Sequence, residues 1–216
     1  MQPFSRLCVA AAATLALCAT ASAAEPYAAI GAPGVMLGIA QPLSDTVTLR
    51  ADLATIGTRD KTGTQQGIDY KGNYKSNRTG LFADWFVSGG FRLTGGVTLN
   101  DTKFDLTAFG DGTPIKIGNT SYPTTPADRF VANIKFPSTT PYIGIGWGHK
   151  MGNSGWGFVA DLGASIGKAT VTTRVEGPLL SQVSQADMDR ETQELRDGVG
   201  KVRALPQLSI GVSYQF

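Results

Sequence analysis

Read backwards from its last residue, the stretch LSIGVSYQF is apolar at every second position: Phe216, Tyr214, Val212, Ile210 and Leu208. Gln215, Ser213, Gly211 and Ser209 between them are small or polar. The same zigzag recurs in Thr46 to Thr55, in Phe91 to Asn100 and in Gly155 to Gly167. In the last of these, Trp156, Phe158, Ala160, Leu162, Ala164 and Ile166 make one face, and Gly157, Val159, Asp161, Gly163, Ser165 and Gly167 the other. Period two predicts strands with one apolar face.

A soluble sandwich and a closed barrel with its apolar face on lipid both fit that period. The polar face separates them. It is rich in Gly, Ser and Thr rather than Lys and Glu, which suits the inside of a narrow barrel. The connections also alternate in length. Short turns fall at Pro42 to Asp45, Ser88 to Gly90 and His149 to Ser154, and long polar segments at Gly57 to Lys75, Asp101 to Asp128 and Gly177 to Ala204. Short periplasmic turns and long outer loops are the plan of an outer-membrane barrel.

Strands are expected near Val35 to Gln41, Thr46 to Ile56, Arg78 to Val87, Phe91 to Asn100, Phe130 to Trp147 with a break at Pro137, Gly155 to Val175, and Gln207 to Phe216. An eighth, needed for an even count, is assigned to Tyr27 to Ile30, hairpinned through Ala32-Pro33-Gly34. The fold class is all-β: an eight-stranded antiparallel up-and-down transmembrane barrel. Its last strand pairs with its first, because a bare strand edge in hydrocarbon costs several kcal/mol per backbone group. Trp85, Phe86, Phe91, Trp147, Trp156, Phe158 and Tyr214 cluster about the short turns and are expected to form the inner aromatic girdle.

The terminal pattern Phe216, Tyr214, Val212, Ile210 and Leu208 resembles the assembly signal of bacterial outer-membrane barrels, which implies reading by the barrel-assembly machinery. In architecture the chain is similar to small barrels of the OmpA, OmpX and OmpW type. The stretches ADWFVSGGFRLTGG and TPYIGIGWG also resemble proteobacterial outer-membrane barrels that carry no assigned activity. The absence of a peptidoglycan-binding domain after the barrel departs from the full OmpA plan.

Composition adds an address. MQPFSRLCVAAAATLALCATASA has a basic end at Arg6, an apolar core from Val9 to Leu17 and the small residues Ala21-Ser22-Ala23, so residues 1–23 are expected to be a cleaved signal peptide and residues 24–216 one barrel domain. Cys18 follows Leu15-Ala16-Leu17, a weak lipobox in which Leu17 is too bulky for its place. Both cysteines, Cys8 and Cys18, leave with the signal, so no disulfide is expected. A net charge of +2 with 17% charged residues gives no footprint for nucleic acid.

Chemistry is sparse. The single histidine, His149, sits in an expected periplasmic turn near Ser154, where it reads as solvated rather than as a general base. One histidine and no mature cysteine leave no zinc site, and no metal or cofactor is expected. Arg50, Asp52, Asp84, Arg92 and Asp161 fall on the expected lumen face. Mixed signs in an interior just large enough for side chains suit a salt-bridged plug better than a selectivity filter. Ser184 to Gly200 breaks the zigzag and predicts a short helix in the last outer loop, capped by Ser184 with Asp187 in its first turn.

The functional expectation is a monomeric, non-enzymatic barrel in the outer membrane of a Gram-negative bacterium, reached by signal-peptide export through the periplasm. Outer-membrane lipids and lipopolysaccharide are its expected partners, and its role is structural or one of surface interaction. The alternatives are an OmpW-like narrow channel or pocket for small apolar molecules, and a lipid-modifying barrel enzyme.

Overall fold

The computed structural model describes residues 24–65, 68–149, 154–199 and 203–216; the expected signal segment, with Cys8 and Cys18, lies outside them. The strands are β1 (Glu25–Gly31), β2 (Gly34–Ser44), β3 (Val47–Gln65), β4 (Ile68–Ser88), β5 (Phe91–Phe109), β6 (Ile115–Ile117) and β7 (Thr120–Tyr122). They continue with β8 (Arg129–Lys135), β9 (Thr139–Trp147), β10 (Gly155–Ile166), β11 (Thr170–Glu176) and β12 (Ala204–Gln215). A helix, α1 (Gln185–Val199), precedes β12.

Eight strands close a ring in the order β1, β2, β3, β4, β5, β9, β10, β12 and back to β1. Every pairing is antiparallel, and closure runs from Tyr27↔Ser213 to Gly31↔Ser209. β8 and β11 carry β9 and β10 onward past breaks at residues 136–138 and 167–169. The first break, at Pro137, leaves register intact, since β5 pairs Leu99 with Thr139 and Lys103 with Lys135. Proline removes a ladder donor there without shifting the chain. The first hairpin is as expected, with β1 and β2 joined through Ala32 and Pro33.

The strands at the long-loop end run further than their apolar alternation. Gly57 to Lys75, expected as a loop, is a continued hairpin in which β3 and β4 pair as far as Gln65↔Ile68. Asp60 with Asn73 and Thr64 with Asp69 link across it by side-chain hydrogen bonds. An apolar face is needed only where a strand meets hydrocarbon. Beyond that band, polar cross-strand pairs carry the ladder into water, so the zigzag measures the membrane band and not the strand.

The outer surface is oily. Leu37, Leu53, Leu81, Val97, Ile143, Leu162 and Ile210 are 45% to 64% exposed, while the alternate positions are buried or half-buried. A soluble protein would bury these side chains. Trp85, Trp147, Trp156, Phe158 and Tyr214 face outward toward the short-turn end, with Phe91 half-buried on the same face. Phe86 does not join them. Strand parity turns it inward beside outward Trp85, and it is buried, with backbone partner Arg92. Phe216, Val212, Ile210 and Leu208 line the outside of β12 as the terminal pattern requires, and Tyr214 packs edge-on against Trp156 and Phe216.

A small second core sits at the long-loop end. Ala108, Ile115, Ile117, Leu180 and Met188 pack together with Tyr70, Tyr122 and Phe130, joining the β6–β7 hairpin, a single 3-10 turn and α1 to the inner face of the extended sheet. The helix is capped as expected: the Asp187 amide donates to Ser184 Oγ at 3.1 Å. Tyr122 donates to Asp187 Oδ2 at 2.6 Å and the Gly118 amide to Glu191 Oε2 at 2.9 Å, so the hairpin is tied to the helix.

Candidate functional site: an ion-pair core inside the barrel

All five charges assigned to the lumen face are inside, and four of them touch. Arg50, from β3, sends its guanidinium between Asp84 of β4 and Asp161 of β10, with Nη2 3.1 Å from Asp161 Oδ1. Arg92, from β5, donates from Nη1 to Asp161 Oδ1 at 2.9 Å and to Asp84 Oδ1 at 3.1 Å. Thr94 adds its hydroxyl to Asp84 at 2.7 Å, and the Arg92 Nε reaches the Gly148 carbonyl at 3.2 Å. Asp84 and Arg92 are completely buried.

Asp52 closes a second group. Its carboxylate accepts from Arg78 Nη2 at 2.7 Å and from the Tyr27 hydroxyl at 3.0 Å, and Arg78 also donates to Gln207. Three arginines thus face three aspartates, and the mixed signs cancel. The Phe82 ring lies under both Arg50 and Arg78, 5.1 Å and 5.4 Å from their guanidinium carbons, a cation–π placement. Isolated charges would not survive burial; here every guanidinium faces a carboxylate, although Arg78 Nε and Arg92 Nη2 find no acceptor among the described residues.

Space for the Arg92 side chain comes from the neighbouring strand β9, where Gly146 is its cross-strand partner. A Cβ at Gly146 would lie 2.5 Å from Arg92 Nη1, so any side chain there would displace the guanidinium. Toward the long-loop end a layer of hydroxyls and amides follows. Thr98 Oγ1 is 2.7 Å from Thr140 Oγ1 and 2.9 Å from Ser165 Oγ; Asn100 donates to Thr140 at 2.9 Å, and Gln207 to Ser165 at 2.7 Å. Between Tyr27, Arg50, Asp52, Arg78, Phe82 and Tyr142 a cavity of about 10 Å³ remains, room for about one water.

His149 overturns its expected setting. It is 2% exposed rather than solvated, with Nδ1 3.2 Å from Glu25 Oε1 and its ring 4.6 Å from that of Tyr27. Its φ of 64° is what turns the side chain back into the barrel from the end of β9. The rest of that turn, residues 150–153, lies outside the described residues.

Sequence reasoning missed Arg78, Tyr27, Glu25 and Gln207. Arg78 was recoverable, because it shares parity with Phe82 and Asp84 on one strand. The partners on β1 were not, since a seven-residue strand containing Pro26 gives little periodic signal. Among the described residues no group of three or more His, Cys, Asp or Glu could hold a metal ion.

No protein-family model matches the chain, and no curated protein sequence matches it. Among the solved structures that share its fold are two from Acinetobacter baumannii. The crystal structure of Acinetobacter baumannii CarO2 superposes with a TM-score of 0.61 at 18% identity, covering 90% of this chain and 98% of that one. The crystal structure of Acinetobacter baumannii CarO gives a TM-score of 0.57 at 20% identity, covering 90% of this chain and 97% of that one. At such identity the likeness is one of fold: a closed antiparallel eight-stranded barrel.

Proposed function

We propose that this chain is an outer-membrane barrel of a Gram-negative bacterium whose lumen is closed by its own ion pairs. Its role is structural or one of surface interaction, exercised through the cap at its long-loop end. The observation that carries the reading is the Arg50–Asp161 contact, which joins opposite walls of the ring across the interior. The belt of exposed Leu, Ile and Val supports the membrane assignment, and the short turns are then periplasmic. The short helix and hairpin rest over the outer mouth and present polar side chains to the outside. Residues 1–23 supply the export signal, the barrel is a monomer, and Phe216 with its alternating partners is the segment that the assembly machinery reads.

The test is single-channel recording in planar bilayers. The native protein is expected to insert and give no discrete conductance, whereas Arg50→Ala combined with Arg92→Ala opens a measurable step. A native conductance step would favour the OmpW-like passage for small apolar molecules instead.

The same reading is non-enzymatic. His149 is oriented by Glu25, and among the described residues no serine is hydrogen-bonded to it. Catalysis by a serine nucleophile needs that bond. The mass of lipid A from cells expressing the protein is expected to match that from cells without it.

A further inference from the structure

The outer wall carries a feature that the lumen does not explain. One outward-facing row crosses five neighbouring strands in register: Leu37, Leu53, Thr79, Leu99 and Thr139. One step toward the long loops lies the row Val35, Thr55, Asn77 and Asp101. These two rows line an open groove of about 670 Å³, floored by Val35, Leu37, Leu53 and Leu99. That volume is in the range of sites that take a sizeable organic molecule.

A further step along the same strands, roughly 6.6 Å, places Lys75, Lys103 and Lys135 side by side on β4, β5 and β8. Asp101, on the groove's upper edge, holds two of them, with Oδ2 2.8 Å from Lys75 Nζ and Oδ1 3.1 Å from Lys103 Nζ. Three lysines against one aspartate leave the row positive by two. Lys135 is exposed, while Lys75, Lys103 and Asp101 are half-exposed. The next row outward reverses sign, with Asp60, Asn73, Asp105 and Asn133. A band of positive charge therefore lies between the hydrocarbon belt and an acidic row.

Apolar floor, polar wall and lysine lip repeat, in order, the acyl chains, sugar and phosphates of a phosphorylated glycolipid lying in the outer leaflet. Hydroxyl and amide groups at Thr55, Asn77, Ser138 and Thr139 stand at the height of the sugar. We infer that this groove is a binding site for lipid A, with its acyl chains on Leu37, Leu53 and Leu99 and a phosphate against Lys75, Lys103 and Lys135. Lysine serves phosphate as a compact point charge. Asp101 preorganises two of the three ammonium groups and gives them up in part when phosphate arrives. The site rests on the outer-membrane reading, which sets the long-loop end in the leaflet where lipid A resides.

The experiment is native mass spectrometry of the full barrel in detergent. The probes are bisphosphorylated lipid A, its dephosphorylated counterpart and phosphatidylglycerol. Bisphosphorylated lipid A is expected to bind at least about tenfold more tightly than either of the others, a gap of the size set by a few charge-assisted contacts. Lys75→Gln, Lys103→Gln and Lys135→Gln together remove that preference, and Asp101→Asn strengthens it. Thr79→Trp, which fills the groove below unchanged lysines, weakens binding as well. Unchanged binding in the triple glutamine variant, or equal binding of phosphatidylglycerol, overturns the site. Heat-dependent gel mobility checks that each variant is folded. A barrel that inserts into bilayers and ignores lipid A overturns this inference alone, whereas a chain that fails to insert overturns the reading beneath it.

Discussion

Arg50 and Asp161 stand on opposite sides of an eight-membered ring, four strands apart in either direction, and their side chains meet at 3.1 Å. A pair so placed cannot form unless the interior is narrow enough for one arginine to cross its centre. The contact therefore measures the barrel from within. It also makes the charge network a tie between walls that share no backbone hydrogen bonds.

Removing Asp84 is expected to be the most damaging single change to that network. Its carboxylate serves Arg50, Arg92 and Thr94 from a completely buried position. Asp84→Ala leaves two buried guanidinium groups short of an acceptor, a loss of about 3–5 kcal/mol. Urea unfolding followed by gel mobility would measure it, and a midpoint within error of the native protein would contradict the network.

Gly95 and Gly96 are adjacent and face opposite ways. A Cβ at Gly95 meets nothing within 4 Å, whereas one at Gly96 would lie 2.3 Å from the Leu81 carbonyl oxygen and 2.7 Å from Phe82. Gly95→Ala should leave stability unchanged or slightly raised. Gly96→Ala should lower it by ~1–3 kcal/mol, the usual range for overpacking. The reverse order in the same unfolding assay would mean that the inside and outside of β5 are exchanged.

At the cap, Asp128 accepts four hydrogen bonds, from the amides of Leu179, Leu180 and Thr125 and from the Thr125 hydroxyl. Burial alone would raise its pKa, but the Leu180 amide, the Thr125 hydroxyl and amide and the Leu179 amide together hold it at about 2. A pKa below the unfolded value means that the latch contributes fully above the ordinary carboxylate range. Its contribution fades as pH falls through that range toward 2. Limited proteolysis should find the cap equally protected at pH 5 and pH 8, and Asp128→Asn should be cut faster at both.

His149 tests the short-turn end. Its backbone adopts φ 64°, and its ring is the partner of Glu25. His149→Asn keeps a residue that tolerates this backbone and can still hydrogen-bond. His149→Ala keeps neither advantage and strands the buried carboxylate, at a cost of ~1–3 kcal/mol. The asparagine variant should therefore unfold at higher urea than the alanine variant. The reverse order would show that the ring serves neither the turn nor Glu25.

Much of the architecture could be read from the chain alone, because a strand between lipid and lumen must change polarity at every residue. That rule placed Arg50, Asp52, Asp84, Arg92 and Asp161 inside and set Leu208, Ile210, Val212, Tyr214 and Phe216 outside. Phe86 was misplaced because an aromatic cluster in sequence was allowed to outweigh the parity that Trp85 had already fixed. The capped helix after Ser184 was equally legible, since capping is a local matter of a few residues. The length of the β3–β4 hairpin was not, because polar strands in water carry no apolar mark.

What the sequence by itself determined is which way each residue faces, since facing depends only on position along one strand. Which inward residues meet depends on ring size, strand stagger and the small residues opposite, and these are properties of the closed barrel. Arg50 finds Asp161, and His149 finds Glu25, across 111 and 124 residues of chain. No local pattern encodes such separations. Only closure of the ring brings those walls together and, with Arg78, turns six scattered charges into one neutral core.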